Sequence, residues 1–398
     1  MAPGPGLLST VLPSGFFASG VNCGVRRYRP DVGLIYTEQD CVTAGVFTIN
    51  EAKGAPVRYC QELLPSHRIR AILTNSGQAN AATGEEGVRR NREMAEAVAR
   101  ELGVDSAQIL VASTGKIGVQ VESEKVVASI PELVERATDV AEGFALAILT
   151  TDLVPKTVTT TVQLAGGSVR LTGICKGSGM IHPQMATMLA YLLTDLKLTP
   201  ELAQGLLKDS TDVSFNMISV DGDCSTNDSS FLMASGATGV TIKTDEDFHT
   251  FKKALIEVSQ FLARAIAADG EGATKLIEVD LRGSPDLELA RRAARSVIMS
   301  PLVKCAIHGE DPNWGRVLSR LGQEHVPSSC LEKLSLKLQG VSLFDGGAPC
   351  NFDREEVRGL LRTNQVRIEI DLKSGEETAV AWGCDLSKKY VDINTEYS

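Results

Sequence analysis

Apolar residues recur at two different spacings along this chain, and the spacing predicts which segments form strands and which form helices. Alternating apolar positions between residues 157 and 174 predict a hairpin. Residues 247–268 carry an apolar side chain every three or four positions, which predicts a long helix. The same spacing predicts a helix over 87–102, with Gly103 as its stop signal.

Shorter apolar runs predict further elements. Strands are expected at 71–77, 109–112 and 366–372, followed by a return strand that reaches Trp382. A threonine and a proline at Thr199-Pro200 predict the start of another helix. Strands and helices mix without a regular β–α–β rhythm, so the pattern predicts an α+β fold.

Candidate chemistry is concentrated in residues 176–189, Lys-Gly-Ser-Gly-Met-Ile-His-Pro-Gln-Met-Ala-Thr-Met-Leu. Thr187 follows an irregular polar turn, and Leu189, Leu192 and Leu193 have helical spacing. The threonine is therefore expected at a loop-to-helix junction, where unpaired backbone N–H groups favour negative charge. A threonine hydroxyl is a weak nucleophile, but cutting the chain before Thr187 would give it an adjacent α-amino group as base. From spacing alone, a simple helix N-cap is the competing interpretation.

Composition is that of an ordinary globular protein and disfavours several classes of partner. Of the 398 residues, 43% are hydrophobic and 23% are charged, enough for two or three domain-sized units or one large double-layered body. A net charge of −10 without a basic cluster disfavours nucleic acid and anionic membranes. No apolar run reaches the roughly 20 residues that span a bilayer. Residues 1–6 show no targeting pattern, so a cytoplasmic location is expected.

Cysteines, histidines and acids give no metal-site pattern. Nine cysteines at irregular spacing, without a CxxC pair, predict reduced thiols, and five dispersed histidines predict no zinc site. Asp221 and Asp223 have the spacing of a calcium loop, but Leu232 stands where that loop needs glutamate. Cys305 and His308 are three positions apart, which is poor evidence for a nucleophile pair.

Several long motifs in a fixed order resemble those of the ornithine acetyltransferase family, also called glutamate N-acetyltransferase. The motifs are Lys-Gly-Ser-Gly and Ala-Thr-Met-Leu within 176–189, Ser113-Thr114-Gly115, Gly-Glu-Gly-Ala-Thr-Lys at 270–275, and a polar stretch at 214–228 taken as structural support. The resemblance runs from Val46 to the tail. It implies self-cleavage between Ala186 and Thr187 into fragments 1–186 and 187–398 that stay together.

The resemblance also implies the roles of individual residues. Thr187 would be the nucleophile, with its own α-amino group as base. Thr114 and Gly115 would form the oxyanion hole, and a hydroxyl beside a glycine N–H is a reasonable donor pair, although a plain turn has the same sequence. The tail is expected to be docked, and it ends one residue sooner than in many relatives, so the contact of Ser398 would be shifted or lost. The residues expected to contact substrate are Thr151, Lys176, Thr187, Glu271, Asn394 and Ser398.

The implied reaction is acetyl transfer from N2-acetyl-L-ornithine to L-glutamate in arginine biosynthesis, by a ping-pong mechanism through an acetyl-threonine. No metal or organic cofactor is expected. The implied fold is a layered α/β/β/α body with a second, smaller C-terminal α/β lobe, and the two fragments would assemble as α2β2 or larger. Three alternatives stay open: a bifunctional enzyme that also uses acetyl-CoA, a related self-cleaving aminopeptidase, and a non-catalytic binding homologue.

Overall fold

The computed structural model describes residues 10–182 and 188–396 of the chain. They form two compact units, each with a β-sheet and helices of its own. Of the described residues, 10–178, 188–212 and 224–262 belong to the first unit. The second unit comprises 179–182, 213–223 and 263–396. This architecture confirms the predicted α+β class with a smaller C-terminal lobe.

The strands and helices are numbered along the chain. The strands are β1 Phe16–Val21, β2 Val32–Phe47, β3 Ser66–Gln78, β4 Ile109–Lys116, β5 Lys156–Leu164, β6 Gly167–Lys176, β7 Leu189–Thr194, β8 Ile218–Ser219, β9 Ser229–Ala234, β10 Leu276–Ser284, β11 Ser335–Leu338, β12 Val341–Asp345, β13 Ala348–Pro349, β14 Gln365–Asp371 and β15 Glu377–Cys384. The helices are α1 Ala55–Leu63, α2 Gly84–Leu102, α3 Ser123–Ala128, α4 Ile130–Glu135, α5 Glu142–Ala147, α6 Pro200–Asp212, α7 Asp245–Ala268, α8 Leu287–Met299, α9 Pro301–His308, α10 Trp314–Gln323, α11 Ser328–Leu331, α12 Arg354–Leu360 and α13 Lys388–Glu396. Ser106–Gln108 and Phe215–Met217 are single 3-10 turns.

The sheet of the first unit is buried on both faces. Among the described residues its strand order is β4-β3-β2-β9-β7-β6-β5, with β1 on β2. The pairs β3·β4 and β7·β9 are parallel and the others antiparallel. Neighbouring residues of β3 point into different cores, because Leu73 shares a buried cluster with Met94 of α2 whereas Ile72 shares one with Tyr191 of β7. Strands at the centre of this sheet are therefore apolar on both sides.

The segment after Thr187 is a strand, so the helix predicted there is wrong. All six residues of β7 are buried, and the strand pairs with β6 on one side and β9 on the other. A strand that is buried on both faces has apolar residues at every position. The helical spacing of its leucines therefore does not distinguish a helix from a strand. Thr187, which lies outside the described residues, is therefore not followed by a helix whose N-terminus would favour negative charge.

The sheet of the second unit has the order β13-β12-β11-β14-β10-β15-β8 within the described part of the chain. β10 pairs in parallel with β14 and antiparallel with β15. The predicted return strand therefore exists and contains Trp382, but β10 separates it from β14. The sequence pattern could not reveal this, since β10 lies about 80 residues earlier in the chain.

Most of the other predicted elements are present. The hairpin is β5 and β6, and the long helix is α7. Gly103 ends α2 in the left-handed conformation at a φ of 67°, which suits glycine. The hydroxyl of Thr199 accepts a hydrogen bond from the N–H of Leu202 at 3.3 Å, as expected of a residue that caps α6.

Three properties of the described residues bear on membranes, metals and thiols. Within them, no helix combines the length and apolar character that a membrane span requires. Nor do three or more histidine, cysteine or acidic side chains of these residues gather as a metal site would require. All nine cysteines are described, and none of them forms a disulfide bond.

Candidate active site

In the first unit, the ends of β4 and β6 bring Thr114 and Lys176 together. The Nζ atom of Lys176 donates a hydrogen bond to Oγ1 of Thr114 over 3.3 Å, across 62 positions of sequence. Both side chains are buried, with 4% of Thr114 and 2% of Lys176 exposed. Antiparallel pairing of β6 with β7 places the N-terminal residue of β7, Leu189, directly opposite Lys176. The sheet thus places the predicted lysine beside the predicted oxyanion-hole threonine.

A buried carboxylate, Asp152, lies between two lysines. Its Oδ1 atom is 2.8 Å from Nζ of Lys156, and its Oδ2 atom is 4.0 Å from Nζ of Lys176. The N–H groups of Gly177 and Thr150 also donate to it, over 2.6 and 3.0 Å. Burial raises the pKa of Asp152, but the two ammonium groups and these hydrogen bonds outweigh burial and hold the pKa well below its usual range. Two ammonium groups thus lie beside one carboxylate, and a buried ammonium suits an anionic ligand group.

The backbone at Gly115 is fixed by a close approach of two strands. Gly115 faces Gly77 in the parallel ladder of β3 and β4, and its φ is 132°. A Cβ atom at position 115 would overlap the backbone of Gly77. Only glycine fits here, and the pairing with β3 holds the backbone that carries the predicted oxyanion donor.

In the second unit, the C-terminal helix contacts the loop that follows α7. The Nδ2 atom of Asn394 donates to Oε2 of Glu271 over 2.8 Å and to the carbonyl of Tyr390 over 3.0 Å. Glu271 is only 9% exposed, and a Cβ atom at Gly179 would overlap its carboxylate. Gly179 and Asn394 therefore define the position of Glu271, and the tail is docked as the sequence predicts.

The carboxylate of Asp221 holds the backbone at Met180 and Ile181 in place. It accepts the N–H groups of Met180 and Ile181 over 2.6 and 2.9 Å. The Tyr390 hydroxyl is a further hydrogen-bond partner. Burial raises the pKa of Asp221 to about 6, although the N–H donors of Asp223, Met180 and Ile181 lower it. Burial, followed by the charge of Asp221, also raises the pKa of Tyr390.

The remaining predicted residues are placed as follows. Thr151 lies in the turn between α5 and β5, directly before Asp152. Ala186, Thr187 and Ser398 lie outside the described residues, so their assigned roles stay predictions. The structure pairs Thr114 with Lys176 and, separately, Glu271 with Asn394.

Sequence reasoning missed the residue that organises the lysine cluster. Asp152 belongs to no motif, and the one available signal is a lysine four positions later, Lys156. Asn227 and Asp228 were part of the polar stretch assigned to structural support, without individual roles. Their contacts join strands distant in sequence, which no local pattern reveals.

Comparison with known proteins identifies the family. Residues 17–398 match the model of the ArgJ family. The arginine biosynthesis bifunctional protein ArgJ of Thermotoga neapolitana is 45% identical over 394 residues, which are 97% of this chain and 99% of that protein. The protein of the same name from Lactococcus lactis is 42% identical over 388 residues, 97% of each chain. A crystal structure of the Bacillus halodurans protein of that name aligns at 39% identity and a TM-score of 0.49, covering 51% of this chain and 96% of that one. With a family match over nearly its full length and relatives of this identity, the chain belongs to the ArgJ family.

Proposed function

We propose that the chain transfers an acetyl group from N2-acetyl-L-ornithine to L-glutamate in arginine biosynthesis, with Thr187 as the nucleophile. Membership of the ArgJ family, whose curated relatives are named for arginine biosynthesis, supports the activity. The observation that carries the assignment to these residues is the 3.3 Å contact between Lys176 and Thr114. It places a buried cation beside the hydroxyl that the family resemblance assigns to the oxyanion hole.

The first step of the proposal is self-cleavage. The hydroxyl of Thr187 attacks the carbonyl carbon of Ala186, the peptide C–N bond breaks, and an ester forms while the threonine nitrogen becomes an amine. Water then hydrolyses the ester, which leaves a carboxylate on Ala186 and a free hydroxyl on Thr187. The new α-amino group stands next to that hydroxyl and is the base for the later steps.

The second step removes the acetyl group from the donor. The Thr187 oxygen attacks the acetyl carbonyl of N2-acetyl-L-ornithine, and its proton passes to the α-amino group. Negative charge develops on the carbonyl oxygen, where the Thr114 hydroxyl and the Gly115 N–H stabilise it. The C–N bond breaks, the proton moves to the leaving amine, and ornithine departs from an acetyl-threonine ester.

The third step delivers the acetyl group to glutamate. The neutral α-amine of glutamate attacks the ester carbonyl, and the same two donors stabilise the second tetrahedral intermediate. The ester C–O bond breaks, the proton from the amine returns to the Thr187 oxygen, and N-acetyl-glutamate leaves. Donor and acceptor thus react in turn, which is the basis of ping-pong kinetics.

Substrate contacts are assigned by the resemblance and supported by the chemistry of each side chain. The Lys176 ammonium matches an α-carboxylate, because charge-assisted pairs of this kind are strong in buried surroundings. The Glu271 carboxylate matches an amino group, and Asn394 fixes its position through the 2.8 Å hydrogen bond. Thr151 and Ser398 complete the proposed set.

A second acetyl donor follows from the names of the relatives. The Thermotoga neapolitana and Lactococcus lactis proteins are both called bifunctional. We extend this to the present chain, with acetyl-CoA acylating Thr187 in place of acetyl-ornithine. Assays with acetyl-CoA and glutamate alone measure this activity, and its absence would leave a monofunctional acetyltransferase.

The proposal extends to the setting of the enzyme. No metal or organic cofactor enters any of the steps above, the two fragments remain associated as α2β2 or a larger assembly, and the enzyme works in the cytoplasm. Activity after exhaustive chelation, the mass of the native assembly and localisation of a tagged chain test these three statements separately.

The deciding experiment compares the wild type with Thr187→Ala and Thr187→Ser. Intact mass and N-terminal sequencing should show two wild-type fragments, the second beginning at Thr187, and a mass increase of one acetyl group on that fragment after acetyl-ornithine is added. Thr187→Ala should stay uncut and inactive, whereas Thr187→Ser should retain partial cleavage and transfer because it keeps a hydroxyl. Full activity of Thr187→Ala would disprove the mechanism. Release of amino acids from peptides without an acetyl-enzyme would favour the aminopeptidase alternative.

A further inference from the structure

Two adjacent buried side chains, Asn227 and Asp228, contact the chain next to both proposed catalytic threonines. They precede β9 at the centre of the first unit's sheet, and 5% of Asn227 and 1% of Asp228 is exposed. Neither has a role in the proposed reaction. Their hydrogen bonds reach the end of β4 on one side and the beginning of β7 on the other.

Asn227 holds the strand that carries the oxyanion donors. Its Nδ2 atom donates to the carbonyl of Ser113 over 2.9 Å, directly before Thr114, and also to the carbonyl of Ala79. Its Oδ1 atom accepts the hydroxyl of Thr226 over 2.6 Å. Both amide protons and the oxygen are therefore used, so the side chain has one permitted orientation.

Asp228 and the residue after it hold the chain directly after Thr187. The Oδ1 atom of Asp228 accepts the N–H of Met188 over 3.0 Å, and the N–H of Ser229 donates to the carbonyl of Met188 over 3.1 Å. Met188 is thus fixed through both of its backbone polar groups, and it is 1% exposed. One peptide bond separates Met188 from the proposed nucleophile.

We propose that Asn227 and Asp228 are positioning residues that set the distance between the nucleophile Thr187 and the oxyanion donors Thr114 and Gly115. The inference rests on the proposed function, since it takes the roles of those residues from it. Because Asn227 and Asp228 are adjacent in the chain, directly before β9, the backbone at Ser113 and the backbone at Met188 are held from one point. Displacements of an ångström at reacting atoms cost large factors in rate, and rigid support from neighbouring side chains prevents them.

The chemistry of Asp228 indicates which substitution preserves this role. Burial raises the pKa of Asp228 well above its usual range, although the Met188 N–H and the charge of Lys176 lower it. What Met188 requires is an oxygen acceptor, which asparagine also provides. Asp228→Asn should therefore keep Met188 in its position. Asp228→Ala removes the oxygen that accepts the Met188 N–H, and Met188 is then no longer held.

The test measures self-cleavage and steady-state kinetics in the full chain for Asp228→Ala, Asp228→Asn and Asn227→Ala. We expect Asp228→Ala and Asn227→Ala to slow cleavage, and in the cleaved enzyme to lower kcat by about 100-fold with KM for both substrates within about twofold. Asp228→Asn should recover kcat to within about threefold of wild type, because it restores the acceptor.

Tyr191→Phe is the matched control for a loss of buried hydrogen bonding. Tyr191 lies on β7 and is as deeply buried as Met188. The variant loses only the 2.8 Å hydrogen bond between the tyrosine hydroxyl and Thr74. It should lower thermal stability without changing kcat. If Asp228→Ala is insoluble, Asp228→Ser takes its place, since a serine hydroxyl is too short to reach Met188.

Each outcome bears on one of the two proposals. The positioning role is overturned if kcat of Asp228→Ala and Asn227→Ala stays within about twofold of wild type. It is also overturned if Tyr191→Phe loses as much kcat as these variants, or if Asp228→Asn fails to restore kcat. Those results leave the proposed function intact as long as Thr187→Ala is inactive. An active Thr187→Ala variant overturns the proposed function itself.

Discussion

The Nδ2 atom of Asn394 donates a hydrogen bond to the Oε2 atom of Glu271, 123 positions earlier in the chain. Within α13 as described, none of the residues is buried, and this hydrogen bond is one of the contacts that hold the helix against the loop after α7. The docked tail therefore has a specific purpose in the proposed reaction. It orients the carboxylate that is expected to bind a substrate amino group.

Asn394→Ala should raise KM for ornithine-derived and glutamate substrates by about tenfold, with a smaller change in kcat. The reason is loss of a hydrogen bond to a charged group, which is worth about 1.5 kcal/mol at a partly exposed position. Asn394→Asp should be worse, because it places a second carboxylate against Glu271. Steady-state kinetics measure both.

The neighbouring Thr395→Val variant is the control for the Asn394 prediction. Thr395 is exposed, and its hydroxyl donates within α13 to the carbonyl of Asp392 over 2.9 Å. The KM values of the Thr395→Val variant should match those of the wild type. Equal effects at both positions would mean that the helix as a whole, rather than the contact with Glu271, matters.

Lys176→Met and Lys156→Met should have different consequences although both lysines lie beside Asp152. Lys176→Met removes the ammonium that is proposed to bind the substrate carboxylate and that lies 3.3 Å from Thr114, so kcat/KM should fall by about 100-fold. Lys156→Met breaks the closer, 2.8 Å ion pair and should cost about 3 kcal/mol of stability, because one partner of a buried pair is lost. Thermal unfolding and kcat/KM, measured on both variants, separate the role of Lys176 in activity from the role of Lys156 in stability. If kcat/KM falls only in proportion to the loss of stability in both variants, the role of Lys176 in activity is contradicted.

Much of this molecule can be predicted from its sequence, because long motifs and strong periodicities are local properties. The motifs predict the acetyltransferase family, which the comparisons confirm. The hairpin of β5 and β6 and the helix α7 follow from periodicity. The family motifs also select Lys176 and Glu271, two of the residues at the centre of the described clusters.

What the sequence could not predict depends on contacts between distant segments. β7 carries leucines at helical spacing, and only its position between β6 and β9 shows it to be a strand. Asp152 sits beside Lys176 because a turn and a strand end meet, and neither has a sequence signal. The positions of Asn227 and Asp228 likewise become informative only when β4 and β7 are seen on either side.

Gly179→Ala should weaken substrate binding without unfolding the protein. Its Cβ atom would overlap the Glu271 carboxylate, which is the flexible end of a side chain and can move aside. Once moved, the carboxylate loses its position beside Asn394, and KM should rise by about tenfold. Gly205→Ala in α6 is the control, because its Cβ atom would meet open space and alanine favours a helix. Wild-type KM values for Gly179→Ala would show that the position of Glu271 does not control binding.

Asp221 should make the stability of the fold depend on pH between about pH 4 and pH 6. Burial raises its pKa from the usual 3.8 to about 6. In this window the folded protein keeps a proton that the unfolded chain has released, so raising the pH destabilises the fold until the folded group is also ionised. The full shift corresponds to about 3 kcal/mol, and partial exposure of Asp221 to water reduces this to about 2 kcal/mol.

Asp221→Asn tests this pH dependence because asparagine does not titrate. Wild type and variant should unfold at similar temperatures near pH 4, where both side chains are neutral, whereas at pH 7 the variant should unfold about 5 °C higher. The exposed residue Glu101 of α2, changed to glutamine, is the control; this variant keeps Asp221 and should therefore keep the pH dependence of the wild type. Thermal unfolding of the three proteins from pH 4 to pH 8 measures the effect. A difference between wild type and Asp221→Asn that stays constant with pH, or that favours the wild type at pH 7, would show that the N–H groups of Met180 and Ile181 stabilise the ionised carboxylate more than burial penalises it.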